Sequence, residues 1–353
     1  MCIAREFTHA AVPSALKAEE AEEAEGTQSF IMIQHGDMLS FEGMQCDCID
    51  LFTEGARLVI GLSHLEGNVW DGCLKIIDCS TGQEICNAPC AASIATVAEA
   101  DRDNIVAVGA DDGTITLYST QELSTVASFY AHDNIVSRVA YNTQSAQYLS
   151  SGWDGAMHLW DLTTIECKPL VTFSNAHNGL ISDCCYNPHT PSAIASVGRD
   201  GFLRLWDLRD AKACVDILDL GNAASCVAFD LTDAHSLVAG TDSGAILALD
   251  TRKLSGFHSG APQCLQHHQS RVRRIRSVPG VAGSWVSASD DTTIAAFSTT
   301  TTLGSPAQQP LYFLSHSDYV ADVALAFSDA GYKIYSASTD CSVRCHDLKP
   351  GSD

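Results

Sequence analysis

Seven segments of this sequence repeat one pattern, a polar turn followed at once by a short strand of alternating apolar residues. Each segment is half of a hairpin. The turn positions lie 41 to 49 residues apart, at Asp71, Asp112, Asp154, Asp200, Ser243, Asp291 and Asp340. This period is typical of one four-stranded blade per repeat, and a ring of blades buries strands too short to be stable alone. The sequence therefore predicts an all-β chain folded as a seven-bladed β-propeller.

The seventh repeat lacks a fourth strand of its own. After its third strand, Ser342–Asp347, only residues 348–353 remain, too few for a turn and another strand. We expect Phe30–Gln34 to supply the missing strand, because pairing it with the last blade removes an exposed sheet edge. The predicted propeller covers residues 28–349, with an N-terminal closing strand at 28–35 and a C-terminal tail at 350–353.

The charge balance favours basic protein partners. Asp and Glu number 43 against 20 Lys and Arg, a net charge of −23, which repels nucleic acid and anionic lipid. Residues 1–27 include the run Lys17–Gly26 and are expected to form an acidic, solvated or partly disordered tail, the alternative being a role in attracting basic partners. No apolar run approaches the roughly 20 residues needed to span a bilayer, so a soluble protein is expected.

The cysteines do not follow a metal-binding pattern. They number 15, an odd count, and residues 1–17 show no signal segment, which favours a reducing compartment. The close pairs lack a second Cys or His pair at zinc-finger spacing: Cys46 with Cys48, Cys86 with Cys90, and Cys184 with Cys185. We interpret them as buried apolar thiols and expect no metal and no cofactor.

Two repeats place serine, histidine and aspartate in matching positions, which suggests a hydrolase. The two sets are His132, Ser150, Asp154 and Trp160, and His177, Ser196, Asp200 and Trp206. A nucleophilic triad is needed once and beside an oxyanion hole, whereas this set recurs and ends on a Trp whose indole N–H needs a buried acceptor. We therefore favour a structural hydrogen-bond network. The chain also lacks a phosphate loop, a nucleophile elbow and a zinc-hydrolase motif, so we predict no enzyme activity.

This set of four residues resembles the tetrad of the WD-repeat family. The resemblance implies a propeller whose blades are locked by His, Ser, Asp and Trp. The sixth and seventh repeats keep three members but carry Phe297 and His346 in place of Trp: His268, Ser287 and Asp291, and His316, Ser336 and Asp340. The fifth repeat departs most, with Leu220, Ser243 and Leu249 at those positions.

In WD-repeat propellers, the residue before the turn Asp tends to lie on the narrow top face, near the central channel. The resemblance places seven residues there: Trp70, Asp111, Trp153, Arg199, Asp242, Asp290 and Thr339. Tryptophans among aspartates would suit an Arg-rich segment through cation–π and charge-assisted contacts. The alternative is an ordinary acidic surface with packed tryptophans.

The first repeat, Gly61–Asp78, inserts an extra polar stretch and resembles the first blade of methylosome WD-repeat subunits, the companions of type II protein arginine methyltransferases. Weaker resemblances follow at Tyr130–Val139, Gly240–Lys253 and Ser315–Val323. They imply a non-catalytic scaffold in the cytoplasm and nucleus that presents Arg-rich substrates, histones and Sm proteins, to the enzyme. Trp70 would be the anchor, with Gly67, Asn68 and Asp71 around it, unless Trp70 fills a gap between blades.

Two other functions remain open. Trp206–Arg209 resembles the Trp-Asp-x-Arg box of cullin ubiquitin ligase substrate receptors, although the motif is short and common in WD repeats. Ser270–Ser277 carries four arginines and suggests nucleic-acid binding. On so acidic a chain we favour pairing of these arginines with neighbouring acids or with an acidic partner surface.

Overall fold

The computed structural model describes residues 30–33, 38–52, 56–66, 69–100, 104–161, 168–209, 214–254, 262–266, 268–299, 312–328 and 331–350. Its strands are β1 (Phe30–Ile33), β2 (Met38–Ser40), β3 (Gln45–Phe52), β4 (Arg57–Glu66), β5 (Val69–Asp78), β6 (Glu84–Cys90), β7 (Ile94–Ala100), β8 (Ile105–Ala110), β9 (Thr114–Ser119), β10 (Thr125–Tyr130), β11 (Val136–Asn142), β12 (Gln147–Gly152), β13 (Met157–Trp160), β14 (Pro169–Phe173), β15 (Ile181–Asn187), β16 (Thr190–Gly198), β17 (Phe202–Asp207), β18 (Cys214–Asp219), β19 (Ala224–Phe229), β20 (Ser236–Thr241), β21 (Ala245–Asp250), β22 (Gln263–Gln266), β23 (Val272–Ser277), β24 (Ser284–Ser289), β25 (Thr293–Ser298), β26 (Tyr312–Ser315), β27 (Val320–Ser328), β28 (Gly331–Ser338) and β29 (Ser342–Pro350). One 3₁₀ turn follows β21, at Thr251–Lys253.

These strands form seven antiparallel sheets, which confirms the predicted all-β seven-bladed propeller. Blades 1 to 6 are β3–β6, β7–β10, β11–β14, β15–β18, β19–β22 and β23–β26. Blade 7 holds β27, β28 and β29. The first strand of each blade contacts the first strand of the next, and β27 contacts β3, so the inner strands close a ring around a central channel. No helix in the described part of the chain is long and apolar enough to cross a membrane.

The core is divided among the seven contacts between neighbouring blades. Each of seven buried apolar clusters in the described residues draws its side chains from two adjacent blades. Blades 3 and 4, for example, share a cluster in which Met157 and Phe173 meet Ile181 and Trp206. A blade therefore buries both of its faces only when it has a neighbour on each side.

The ring is closed from the N-terminal side of the chain. β1 pairs antiparallel with β29, from Phe30 opposite Pro350 to Ile33 opposite Asp347. A further short strand, β2, pairs with the start of β29, with Met38 opposite Arg344. The sequence predicted the first pairing and missed the second. Together they cover the outer edge of β29, which would otherwise be open for association with another chain.

The first blade departs from the predicted turn. In blades 2 to 7 the residue after the predicted turn position has a positive φ, at Gly113, Gly155, Gly201, Gly244, Thr292 and Cys341. Gly72 does not, and Asp71 lies within β5, opposite His64 on β4. The prediction of a turn at Asp71 is therefore wrong. The ladder continues past Asp71 to Glu66 opposite Val69, because the extra polar stretch adds residue pairs to both strands.

We predict that the β1–β29 ladder sets much of the thermal stability. Deleting residues 1–35 removes β1, uncovers part of the outer edge of β29, and should lower the melting temperature by about 5 °C or more. Deleting residues 1–27, which keeps β1, should leave the melting temperature unchanged. Calorimetry or circular dichroism would measure both. Equal melting temperatures for the two deletions would refute closure by β1.

Candidate functional site

The tetrad residues of blades 3 and 4 meet in two equivalent hydrogen-bond networks. In blade 3, His132 Nδ1 lies 3.0 Å from Asp154 and its Nε2 lies 2.8 Å from Ser150 Oγ. Trp160 Nε1 donates to the same hydroxyl at 2.9 Å. Blade 4 repeats this geometry. The matching distances are 2.9 Å for His177 to Asp200, 2.8 Å for His177 to Ser196, and 2.9 Å for Trp206 to Ser196.

These networks are buried, which decides between catalysis and structure. Ser150 and Ser196 have no exposed surface, and each hydroxyl already contacts both a histidine and a tryptophan. Burial alone would raise the pKa of Asp154, but hydrogen bonds from His132 and from backbone amides hold it at about 2. The pKa of Asp200 is likewise held at about 2. The four groups therefore lock the inner part of each blade and leave no serine for attack on a substrate.

Blades 5, 6 and 7 hold weaker versions of this network. In blades 6 and 7 the histidine–serine and histidine–aspartate contacts remain, through His268 and His316. His346 takes the Trp position of blade 7, is 6% exposed, and has no hydrogen-bond partner on either ring nitrogen. Burial lowers its pKa to about 4. In blade 5, the Thr241 hydroxyl bonds instead across the turn to Ser243 and Ala245, and Leu249 is buried.

Six of the predicted top-face residues occupy one equivalent position. The backbone N–H of each donates, at 2.9–3.1 Å, to the carbonyl of the residue just before the inner strand of its own blade. These residues are Asp111, Trp153, Arg199, Asp242, Asp290 and Thr339. The first blade again differs. In blade 1 the equivalent position belongs to Ser63, which pairs with Gln45 at the start of the inner strand β3. The placement of Trp70 at this position is therefore wrong, for the same reason as the turn at Asp71.

The charges of the top face are largely paired with one another. Arg199 and Arg271 each lie 3.4 Å from Asp242, and Arg273 donates to Asp290. Trp153 remains 39% exposed. Burial, and then the charge of Asp112, raises the pKa of Asp111. The expected pairing of the Ser270–Ser277 arginines with neighbouring acids thus involves two of the top-face aspartates, Asp242 and Asp290. The face therefore carries paired guanidinium and carboxylate groups on blades 4 to 6 and an exposed indole on blade 3.

One acid near the channel was missed by the sequence analysis. Asp47 lies in the bulge of β3, between Cys46 and Cys48, and accepts a hydrogen bond from Ser63. Burial raises its pKa to about 6, against the lowering effects of Ser63 and Arg273. Every inner strand has a register shift at this point. The alternation of the sequence gives little sign of such a bulge, which is why these positions were not singled out.

The hairpin of the first blade ends in an exposed apolar pair. Trp70 is 46% exposed, and its cross-strand neighbour Leu65 is 48% exposed. His64 Nδ1 lies 3.5 Å from Asp71 at the next pair inward. Trp70 therefore does not fill a gap between blades. Gly67 and Asn68, which join β4 to β5, lie outside the described residues. Their Gly-Asn dipeptide is a two-residue hairpin signal, and it could have placed Leu65 beside Trp70 from the sequence.

The arginines that suggested the two alternative functions pair with aspartates of this chain. Arg209 is exposed and forms a bidentate ion pair with Asp207, in which its Nε, at 2.9 Å, and its Nη2 donate to the carboxylate. Arg252 makes the same contact with Asp250 in the next blade, so this Asp-x-Arg arrangement is a recurring local ion pair. All four arginines of Ser270–Ser277 lie within 4 Å of aspartates: Arg271 with Asp242, Arg273 with Asp290, Arg274 with Asp183 and Asp322, and Arg276 with Asp50 and Asp322.

One group of described side chains has metal-ligating atoms close together, formed by His132, Asp154 and His158. Both ring nitrogens of His132 are already engaged, by Asp154 and Ser150, and His158 Nδ1 lies 3.1 Å from the Thr172 hydroxyl. A metal would have to displace these bonds, so the geometry supports a structural role for the group.

Comparison with known proteins agrees with this architecture. The family model WD domain, G-beta repeat matches residues 123–161, 167–207 and 308–347. Each matched unit begins with the outer strand of one blade, or just before it, and ends with the third strand of the next. Three units of the chain are therefore WD repeats, and they lie within a seven-bladed propeller.

Several curated proteins are similar to this chain. The methylosome protein WDR77 of Xenopus laevis is 24% identical over 289 residues, which cover 77% of this chain and 81% of that protein. Histone acetyltransferase type B subunit 2 of Kluyveromyces lactis is 33% identical over 132 residues, 36% of this chain and 32% of that protein. Protein NEDD1 of Homo sapiens is 26% identical over 239 residues, 65% of this chain and 35% of that protein.

The depressed pKa values of Asp154 and Asp200 predict a pH dependence of stability. Both carboxylates ionise near pH 2 in the fold but near pH 3.9 in an unfolded chain, so their contribution is present above about pH 4 and lost as the pH falls to about 2. Changing both to Asn should cost about 2 kcal/mol per site at pH 7 and flatten the fall between pH 4 and 2.

Urea unfolding at a series of pH values would measure this effect. Glu122→Gln, which removes an exposed carboxylate outside the tetrads, serves as the control and should follow the wild-type curve. If the double variant lost stability in parallel with the wild type between pH 4 and 2, the tetrad carboxylates would not be its source.

Proposed function

We propose that this chain is a non-catalytic scaffold and substrate-presenting subunit of a protein arginine methyltransferase complex. It would bind a type II protein arginine methyltransferase through the first-blade hairpin and hold Arg-rich proteins at the top face. The observation that carries this proposal is the hairpin of β4 and β5, which extends past the usual turn and exposes Leu65 and Trp70. The similarity to a methylosome protein over most of both chains supports it.

The hairpin has the properties of a binding anchor. Strands β4 and β5 pair continuously from Arg57 opposite Asp78 to Glu66 opposite Val69, so the ladder holds the apolar pair in place before a partner arrives. An indole and a leucine that are nearly half exposed in the free protein gain free energy on entering a partner's pocket. Tryptophans in such positions are enriched among the residues that dominate binding energy.

The top face has groups suited to arginine. Asp242 and Asp290 pair with arginines of this chain, and a substrate guanidinium would compete with these for the two carboxylates. Trp153 offers an exposed indole for cation–π contact, and Asp111 a carboxylate. The net charge of −23 would attract basic tails over a longer range. Histone tails and the Arg-rich tails of Sm proteins fit this chemistry, and binding them would raise their concentration near the enzyme in the cytoplasm and nucleus.

We predict that Trp70→Ala weakens binding to the methyltransferase by about 2–4 kcal/mol, or roughly 30- to 1000-fold in Kd. Trp153→Ala, which truncates the other exposed tryptophan, should leave that affinity unchanged and serves as the matched control. Surface plasmon resonance with the purified enzyme would measure both, and circular dichroism would check the fold. Equal affinities for wild type and Trp70→Ala would remove the hairpin from the interface.

The opposite pattern is expected for substrate. Trp153→Ala should weaken binding of an Arg- and Gly-rich peptide at least about 5-fold, because a cation–π contact contributes about 1 kcal/mol or more. Trp70→Ala should bind the peptide like wild type. Fluorescence anisotropy with a labelled peptide would measure this, and a Lys-for-Arg peptide would test guanidinium selectivity. A peptide affinity that responds to Trp70 and not to Trp153 would contradict the assignment of the two surfaces.

A further inference from the structure

The inner strands of blades 3 to 6 line a half-open cavity of about 200 Å³ in the wall of the channel. Its volume is far above the roughly 10–15 Å³ that one water needs. Three arginines line it, Arg138 on β11 and Arg274 and Arg276 on β23. Pro188 and Leu231 also border it; they lie in the turns that follow β15 and β19, away from the turns at the top face. The cavity is therefore separate from Trp153 and from the first-blade hairpin.

The carboxylates around this cavity are already well supplied with donors. Arg274 bridges Asp183 and Asp322 at 3.1 Å each, although these residues belong to blades 4 and 7. Asp183 also accepts from the backbone amides of Cys184 and Val227, and Asp322 from those of Ile49 and Val323. Neither carboxylate depends on a further cation for its stabilisation.

Several donors beside these carboxylates lack an acceptor. Arg138 is 8% exposed; its Nε lies 3.6 Å from Asp183 but makes no hydrogen bond, and its Nη1 makes none either. Arg276 Nη2 and the hydroxyl of Tyr186 are also buried without a hydrogen bond, although Asp50 lies 3.7 Å from that Nη2. A buried donor without a partner costs about 1–3 kcal/mol, and more when it is charged.

The surroundings of Arg138 disfavour its charged form. Burial lowers the pKa of Arg138, and the charges of Arg274 and Arg276 lower it further, against the opposing effect of Asp183 and Asp322. A water molecule would accept from these donors but would need acceptors for its own hydrogens. A small carboxylate accepts only, and its negative charge would favour the charged form of Arg138.

We propose that this cavity binds a small carboxylate with a single negative charge, held by Arg138, Arg276 and the Tyr186 hydroxyl. The site is independent of the proposed methyltransferase role. By joining the inner strands of blades 3, 4 and 6, the anion would stabilise the ring from within the channel.

Sodium acetate provides the test, by calorimetric titration and by thermal unfolding against sodium chloride at equal ionic strength. Acetate should raise the melting temperature with its concentration, and chloride should not. Tyr186→Phe should weaken acetate binding about 3- to 10-fold and Arg138→Met at least about 10-fold. Arg252→Met, which removes an exposed arginine paired with Asp250 outside the channel, should bind like wild type.

Equal stabilisation by chloride and acetate would overturn the proposal, as would unchanged acetate affinity in Tyr186→Phe. The tyrosine variant keeps every charge of the cavity, so it decides the outcome even where Arg138→Met does not fold.

Discussion

The fold depends on one constraint, that a blade of this propeller buries both faces only against two neighbours. Each apolar cluster spans a pair of adjacent blades, including the pair formed by blades 7 and 1, where Tyr335 and Val343 meet Ile49 and Ile60. Closing the ring is therefore needed to complete the core, and the β1–β29 ladder covers the strand edge at the same seam. The tetrads add hydrogen-bond networks inside individual blades, and these networks depend on the burial that the ring provides.

Much of this architecture could be predicted because it is local and periodic. A turn, an alternating strand and a spacing of 41–49 residues specify a blade, and the recurrence of His, Ser, Asp and Trp distinguishes a lock from a catalytic triad. The first-blade turn was misplaced because Asp71 and Gly72 look like the turns of the other repeats, although the ladder runs on past them. Pairing of the arginines of Ser270–Ser277 with neighbouring acids was expected, but the partners could not be named. Arg271 and Arg274 pair with aspartates of other blades, and Arg273 pairs with Asp290 in a turn of its own blade.

The features that point to function are the places where the repeats differ. A regular blade ends in a short turn, whereas the lengthened hairpin of blade 1 runs on as a continuous ladder and exposes Leu65 and Trp70. The top face combines Trp153 with paired arginines and aspartates. The channel wall carries a third set of groups around Arg138, in which several buried hydrogen-bond donors have no acceptor. Enzyme, substrate and anion would thus meet different parts of one ring.

Hydrogen–deuterium exchange of the full chain with and without a type II protein arginine methyltransferase tests the central claim most directly. Backbone amides in mobile or exposed ladders exchange quickly and become protected when a partner covers them. The scaffold model predicts protection concentrated in peptides that contain Leu65 and Trp70, with little change in the outer strands of blades 4 and 5. Unchanged exchange in the first-blade hairpin, either because no complex forms or because protection lies elsewhere on the ring, would contradict it.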